Sequence, residues 1–577
     1  MDWLIKKGYL LYYIVDGQQR LTALLILIKA IHAKMTYDDN LLYNENRRTI
    51  ESKYFYQTPD KGITKTYLFG YEKNDPSNEY FKTQILGTDS TSDQKQTSVY
   101  TKNLCNAKEY FEKKIQDFNI QQLDDLYLKL TQKLTFNIHE IRDEYDSMVA
   151  FETLNNRGKS LSTLELLKNR LMYISTITPD VPEVTLKSLR NNVNNVWKTI
   201  YEYLGKESRV ELTDDDFLKN HWIMYFEYNR KTANAYEKYL LGEHFSIKNV
   251  YDHSLTLNEI EDYIDDLKIS SELWYYIHNP ENSDFSPLVK EQLLKLRVVG
   301  YGAFEPLILV LLKKSSLLDE RDLECALTFM EKYVFVLFKV SFVKSSTGNS
   351  YFYSLSNKIN KSQSLKGKLD ELIEELKLYI YGDDREYSGY IDIDKFKKEI
   401  RKRFDMSQGM DGFYGWSGIK HFLLEYEHNL KDKTIDKMEK IEWNESDKGL
   451  TKTETIEHIL PQNSEKNCWR ETFDRFTEEQ KYKLSNSLGN LLLLGRRKNS
   501  SLQNECFGVK KEGRNGVSGY INGSYSEIEV SRNLSWSPMQ ILQRGIKLLK
   551  FMEEHWLINL GTDEDKKLLL GLEFLKS

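Results

Sequence analysis

The stretch IVDGQQRLTALL, residues 14–25, joins two apolar runs through an acidic residue, a glycine, two glutamines and an arginine. Upstream, LLYYIV at 10–15 is rich in β-branched and aromatic residues and stops at Asp16-Gly17, which predicts a strand and a tight turn. Downstream, RLTALLILIKAIHAKM at 20–35 carries apolar residues at helical spacing. A strand, a turn and a helix in that order leave unpaired backbone N–H groups at the helix start, where they and the helix dipole favour an anion. Arg20 on the first turn can grip a phosphate bidentately, and the amides of Gln18 and Gln19 can hold a ribose, a base edge or an attacking water. A bare DGxxR word, by itself, is more often an ordinary strand-to-helix turn with a solvated arginine.

The chain around this stretch has 577 residues, too long for one core and enough for three or four domains at about 150 residues each. With 40% hydrophobic and 29% charged residues, a folded rather than disordered chain is expected. The longest apolar runs, LLILI at 24–28 and PLILVLL at 306–312, fall well short of the ~20 residues of a membrane span, so no transmembrane helix is expected. The N-terminus lacks a small-residue cleavage site after its apolar part, which argues against a secretory signal. Four cysteines, at 105, 325, 468 and 506, are widely spaced without a CxxC pair, so neither a disulfide framework nor a zinc knuckle is expected, and a reducing cytoplasm fits best. A net charge of -6 and a pI near 6.1 exclude a coat of positive charge, so nucleic-acid contact would be local.

Residues 40–105 read as polar and turn-rich, with SNEYFK and GTDSTSDQKQTS as loops. A second strand candidate, KLTFNIHEI at 133–141, leads into a helical stretch EYDSMVAFETL and then NNRGKS. Asn155, Arg157, Gly158 and Lys159 make that turn rich in donors and suited to closing over phosphates, although a helix C-cap with Gly158 in the left-handed region explains it equally simply. A new helix opens at Ser162-Thr163-Leu164-Glu165 with capping-box spacing. From about 165 to 445 the pattern is helical, with loops near GNSY at 348–351 and GDDREYSGY at 382–390. After 450 short apolar strands alternate with polar loops until a helix at 537–557.

In this last region TETIEHILPQN, 453–463, places Glu457 beside His458 at the end of a short strand, and LGNLLLLGRRKNSSLQN, 488–504, supplies a second strand and a helix. A metal-dependent nuclease needs a histidine that can deprotonate water beside an oxygen ligand for a hard cation, with a second ligand returned by a helix. Glu457 and Asn499 offer those oxygens, with Asn504 as the other candidate for the second position. Asn490 is placed to hold the loop or bond the histidine backbone. Arg496, Arg497, Lys498, Lys510 and Lys511 cluster around the motif and could neutralise DNA phosphates, or form a solvated helix face. His32, in an apolar helix, and His555, beside Trp556, read as packing residues.

The word DGQQRLTAL resembles the signature of the ParB-like N-terminal domain of GmrSD-type, modification-dependent (type IV) restriction endonucleases, and FETLNNRGKSLSTLELLKNRLM at 151–172 is similar to its downstream element. The spacing of EHILPQ, LGNL and Asn499 resembles an HNH (His-Me finger) nuclease as found in the C-terminal half of that family, and Phe507 with Lys510, then Trp536 and Arg544, resemble its closing helix. The resemblance covers residues 8–175 and 440–560. It implies an α+β, mostly helical chain: a ParB-like sensor and nucleotide-binding domain at 1–175, a helical connector at 176–445 and a ββα-metal HNH domain at 446–577. In that family a strand with Ile-Pro and Gln-Arg precedes DGQQR by several dozen residues, so the first domain is expected to be N-terminally incomplete.

The implied activity is phage-defence DNA cleavage, with His458, Asn490 and Lys510 catalytic, Mg²⁺ or Mn²⁺ on Glu457 and Asn499, and DNA held by Arg496, Arg497, Lys498 and Lys511. A nucleoside triphosphate, whether GTP, ATP, UTP or CTP, is expected at Asp16, Gly17, Gln18, Gln19, Arg20, Asn155, Arg157 and Lys159, coupled to sensing of modified phage DNA. The alternatives are a non-cleaving DNA- or nucleotide-binding partner subunit and an RNA or single-strand nuclease. Oligomeric state, a homodimer included, stays open.

Overall fold

The computed structural model of the chain describes residues 8–12, 14, 17–36, 39–41, 45–58, 65–71, 76–88, 98–138, 140, 161–206, 212–383, 389–434, 454–514 and 516–576. The described residues are mostly helical, with a few short strands. Two compact units divide the chain: Met1–Trp222 with Asn229–Tyr275, and Ile223–Tyr228 with Tyr276–Ser577. None of the described helices is long and apolar enough to cross a membrane.

In the first unit the Gln18–Lys34 helix begins at the predicted place, with Gly17 at its N-cap in the left-handed conformation (φ 89°) that suits glycine. Its inner face buries Ile26 and Ile31 in a core with Ile50, Phe55, Phe81, Leu104, Ile115 and Leu123. His32 is 1% exposed and edge-on to Phe55, with ring centroids 5.6 Å apart, as a packing residue would be. The helix predicted at 162–165 forms as Thr163–Ile177: the Ser162 hydroxyl accepts from Glu165 N and the Ser162 amide donates to Glu165 Oε2, completing the capping box.

Two strand expectations in this unit are not met by the described residues. Among 10–12 and 14, and among 133–138 and 140, no strand forms, and Leu10, Phe136 and Ile138 are exposed. An apolar, β-branched pattern supplies side chains for a sheet, but the backbone becomes a strand only where a neighbour accepts its hydrogen bonds, and these segments have none among the described residues. SNEYFK, expected as a loop, is helical within Pro76–Tyr80 and Phe81–Ile85; Phe81 at 1% exposure anchors it in the core. Among the described residues of this unit β1 (Tyr56–Gln57) pairs with β2 (Thr66–Tyr67), and isolated antiparallel bridges join Leu41 to Glu45 and Ser98 to Lys206. The EYDSMVAFETL and NNRGKS segments lie outside the described residues.

The second unit stacks amphipathic helices, among them Pro287–Val299, Glu305–Lys313, Glu320–Tyr333 and Ile419–Asp432, around a buried run from Leu307 to Leu312. Part of the loop expected at 348–351 is helix, because Asn349–Lys361 starts directly after Gly348 at φ 76°. Within this unit β3 (Glu454–His458) pairs antiparallel with β4 (Leu491–Gly495), setting Glu457 opposite Leu492 and His458 opposite Leu491. All four leucines of β4 are at most 1% exposed, as a strand covered on both faces requires. The Pro538–Trp556 helix lies directly on the turn before β4: a Cβ on Gly489 would meet the Ile541 carbonyl oxygen at 1.9 Å, so only glycine fits there. Cys468 and Cys506 are joined by a disulfide, Cα to Cα 6.0 Å, which corrects the expectation of none. They are 38 residues apart, and it is the fold that apposes the Asn467–Phe473 helix and the start of the Phe507–Glu512 helix.

Candidate active site at the end of β3

Successive side chains leave a strand on opposite faces, so Glu457 and His458 part company at the end of β3. On one face the Glu457 carboxylate, 4% exposed, takes a hydrogen bond from Lys510 Nζ and another from the Tyr520 hydroxyl at 3.3 Å. Lys510, fully buried, reaches it from the Phe507–Glu512 helix and also donates to the His458 carbonyl at 2.9 Å. Burial pushes the Glu457 carboxyl up and the Lys510 ammonium down, while their contact favours the charged pair. Asn499, on the Arg496–Leu502 helix, lies against this same face: its Nδ2 donates to Thr455 Oγ1 at 2.7 Å, two residues before Glu457. Asn504 is exposed beyond that helix.

On the other face His458 Nε2 lies 3.2 Å from Asn486 Oδ1, and Tyr414 leans on the imidazole with centroids 4.5 Å apart. Burial, reinforced by the Lys510 charge, lowers the His458 pKa to about 4 against the pull of Asn486 and Asp411, so the ring is neutral at pH 7. Asn490 closes the turn that follows. Its Oδ1 accepts from Leu460 N at 2.8 Å and Trp536 Nε1 at 3.0 Å, and its Nδ2 donates to Leu460 O and Ser485 O. Arg544 fastens the neighbouring Gly489 and Leu491 carbonyls at 2.8 and 2.7 Å.

The basic cluster separates by role. Arg496 and Arg497 are exposed, Lys498 is paired with Glu527 and donates to Gly519 O, and Lys511 donates to Asn533 O at 3.2 Å. Tyr414, Asn486 and Tyr520 were not anticipated from the sequence. Asn486 stands in the word SNSLGN, where nothing local distinguishes it from the asparagine four places on, and Tyr414 and Tyr520 reach the site only through the fold.

Residues 5–172 match the model of the GmrSD restriction endonuclease N-terminal domain, and residues 401–551 that of the GmrSD restriction endonuclease C-terminal domain, together more than half of the chain. The chain belongs to the GmrSD restriction endonuclease family. No curated protein matches it. For a GmrSD-family restriction endonuclease, the end of β3 falls within the C-terminal match and the DGQQR turn within the N-terminal one. At that turn Gln18 Nε2 donates to Ile14 O at 2.6 Å, the N-cap position is held by Gly17, and Gln19 and Arg20 are exposed on the helix's first turn. Asp16, Asn155, Arg157 and Lys159 lie outside the described residues.

The donors at β3 are of the kind a hard cation takes, a carboxylate and an amide oxygen, with the Asn499 nitrogen committed to Thr455, but the Glu457 carboxylate is buried and already holds Lys510 Nζ and the Tyr520 hydroxyl. No cluster of three or more His, Cys, Asp or Glu side chains able to hold a metal occurs among the described residues, and Mg²⁺ needs none, since it binds through one or two protein oxygens and keeps its waters.

Proposed function

We propose that this chain is a phage-defence endonuclease that hydrolyses DNA phosphodiesters at an HNH site, under control of a nucleotide- and modified-DNA-sensing N-terminal domain. The observation that carries the nuclease reading is His458: a neutral, partly exposed imidazole fixed at the end of β3 in a chain of this family. His458 takes a proton from water, the oxygen forms a bond to phosphorus, and the P–O3′ bond breaks as the 3′ oxygen takes a proton from solvent, leaving a 5′ phosphate and a 3′ hydroxyl. Glu457 and Asn499 would hold Mg²⁺ or Mn²⁺ only with the buried Glu457–Lys510 pair opened, since the carboxylate is 4% exposed and lies on the face of β3 opposite the His458 ring; the ion would then neutralise charge on the scissile phosphate. Asn490 keeps the backbone beyond His458 in place, and Lys510 holds Glu457 and the His458 carbonyl. Exposed Arg496 and Arg497 are the better placed of the basic residues to meet DNA phosphates.

Digestion of plasmid, modified phage DNA and RNA with and without Mg²⁺ tests this. Cleavage of modified DNA only with the metal present is expected; cleavage confined to RNA, or none of any substrate, would reject it. At the other end, the helix start after Gly17, with Arg20 exposed on its first turn, supports nucleotide binding. Arg20→Ala is expected to weaken nucleoside triphosphate binding in calorimetry at least tenfold, as loss of a bidentate phosphate contact of about 1.5–3 kcal/mol implies. Equal heats for variant and parent would remove the nucleotide site and leave the nuclease reading standing.

A further inference from the structure

The imidazole of His458 is gripped by a device that begins well upstream of β3. Asn486 ends the Glu478–Asn486 helix, wholly buried, and its Nδ2 donates to Tyr482 O at 3.2 Å, which turns Oδ1 toward His458 Nε2. An amide oxygen only accepts, so Nε2 carries the hydrogen and the lone pair of the neutral ring falls on Nδ1. One helical turn earlier, the Tyr482 hydroxyl accepts from Asp411 N at 2.9 Å and donates to Asp411 Oδ1 at 3.2 Å. Asp411 and Gly412 adopt positive φ, 53° and 50°, and Phe413 N donates to Asn486 O at 3.1 Å. Arg403 closes the loop by donating to Gly415 O at 2.8 Å. The product is Tyr414, 37% exposed, held against the imidazole. The same helix face, through Tyr482 and Asn486, therefore grips one edge of the ring directly and one side of it through the loop.

We propose that Asn486 and Tyr414 are positioning residues that present Nδ1 of His458, in a single tautomer, as the nitrogen that accepts the proton from water. The inference rests on the reading of His458 as the base. It is tested on the full chain labelled with ¹⁵N-histidine, with His458→Ala assigning the ring. The parent protein is expected to show a pyrrole-type Nε2 and a pyridine-type Nδ1. Asn486→Leu is expected to give a mixture of tautomers and to lower kcat about 10- to 100-fold, in line with losses seen for groups that orient a functional histidine, with KM for DNA unchanged. Asn486→Asp, which keeps the accepting oxygen, is expected to recover the tautomer and part of kcat, and Tyr414→Ala to lower kcat without scrambling the tautomer. A parent spectrum with the hydrogen on Nδ1 would overturn the proposal whether or not the variants fold, as would an Asn486→Leu protein with parental tautomer and kcat. Parental cleavage by His458→Ala would instead strike the base assignment itself.

Discussion

His458→Ala is expected to lower metal-dependent DNA cleavage by about 10²- to 10⁴-fold, the contribution typical of a positioned general base, with the fold retained. Retention follows from what the ring touches. It is only partly buried, it makes one side-chain hydrogen bond, to Asn486, and it leans on Tyr414, so its loss removes roughly 1 kcal/mol of hydrogen bonding. The β3–β4 ladder, the Asn490 turn and the Arg544 contacts do not depend on it. A circular-dichroism melt close to the parent's, together with undiminished plasmid cleavage, would sink the assignment. Wild-type enzyme carries a related signature. Because burial lowers the imidazole pKa to about 4, the unprotonated, active form persists as pH falls from 7, and the acid limb of the rate profile is expected near 4 rather than near the ordinary 6.5.

What was legible in the sequence is what short-range chemistry settles. Four leucines between Asn490 and Gly495 specify a strand buried on both faces, Ser162 and Glu165 specify a helix start, and Gly17 specifies the left-handed turn before Gln18. The adjacency of Glu457 and His458 was equally plain, yet adjacency on a strand means opposite faces, and which partners each face meets is decided by distant segments. Lys510 was visible as one of several basic residues; that it is buried against Glu457, while Lys498 is paired with Glu527, depends on helices packed across β3. The Cys468–Cys506 bridge and the Tyr414 contact are non-local in the same sense. Among the described residues of 10–15 and 133–141 the expected strands do not form, for the converse reason: pattern without a described partner.

Lys510→Met is expected to destabilise the second unit by about 3–5 kcal/mol at pH 7, the cost of breaking a buried ion pair by removing one partner. Methionine preserves much of the aliphatic stem, so the effect isolates the ammonium. Without it the Glu457 carboxylate, 4% exposed, keeps the Tyr520 hydroxyl and the His458 backbone as donors but loses its countercharge, and the His458 carbonyl loses a donor. The carboxyl pKa, already raised by burial, rises further once the neighbouring positive charge is gone. A carboxyl whose folded pKa lies above its unfolded value binds more protons folded than unfolded, so the variant's stability falls as pH rises above about 4.5 and through the folded pKa. Its deficit in urea melts is therefore expected to be largest at neutral pH and to shrink toward pH 4.5. Glu457→Gln added to Lys510→Met removes the orphaned charge and is expected to recover much of the loss. A single variant with the parental midpoint at pH 7 would mean that Glu457 is already protonated in the folded protein. A carboxyl of that kind would not hold Mg²⁺ until it lost its proton, so this measurement bears on the proposed metal site as well as on the fold.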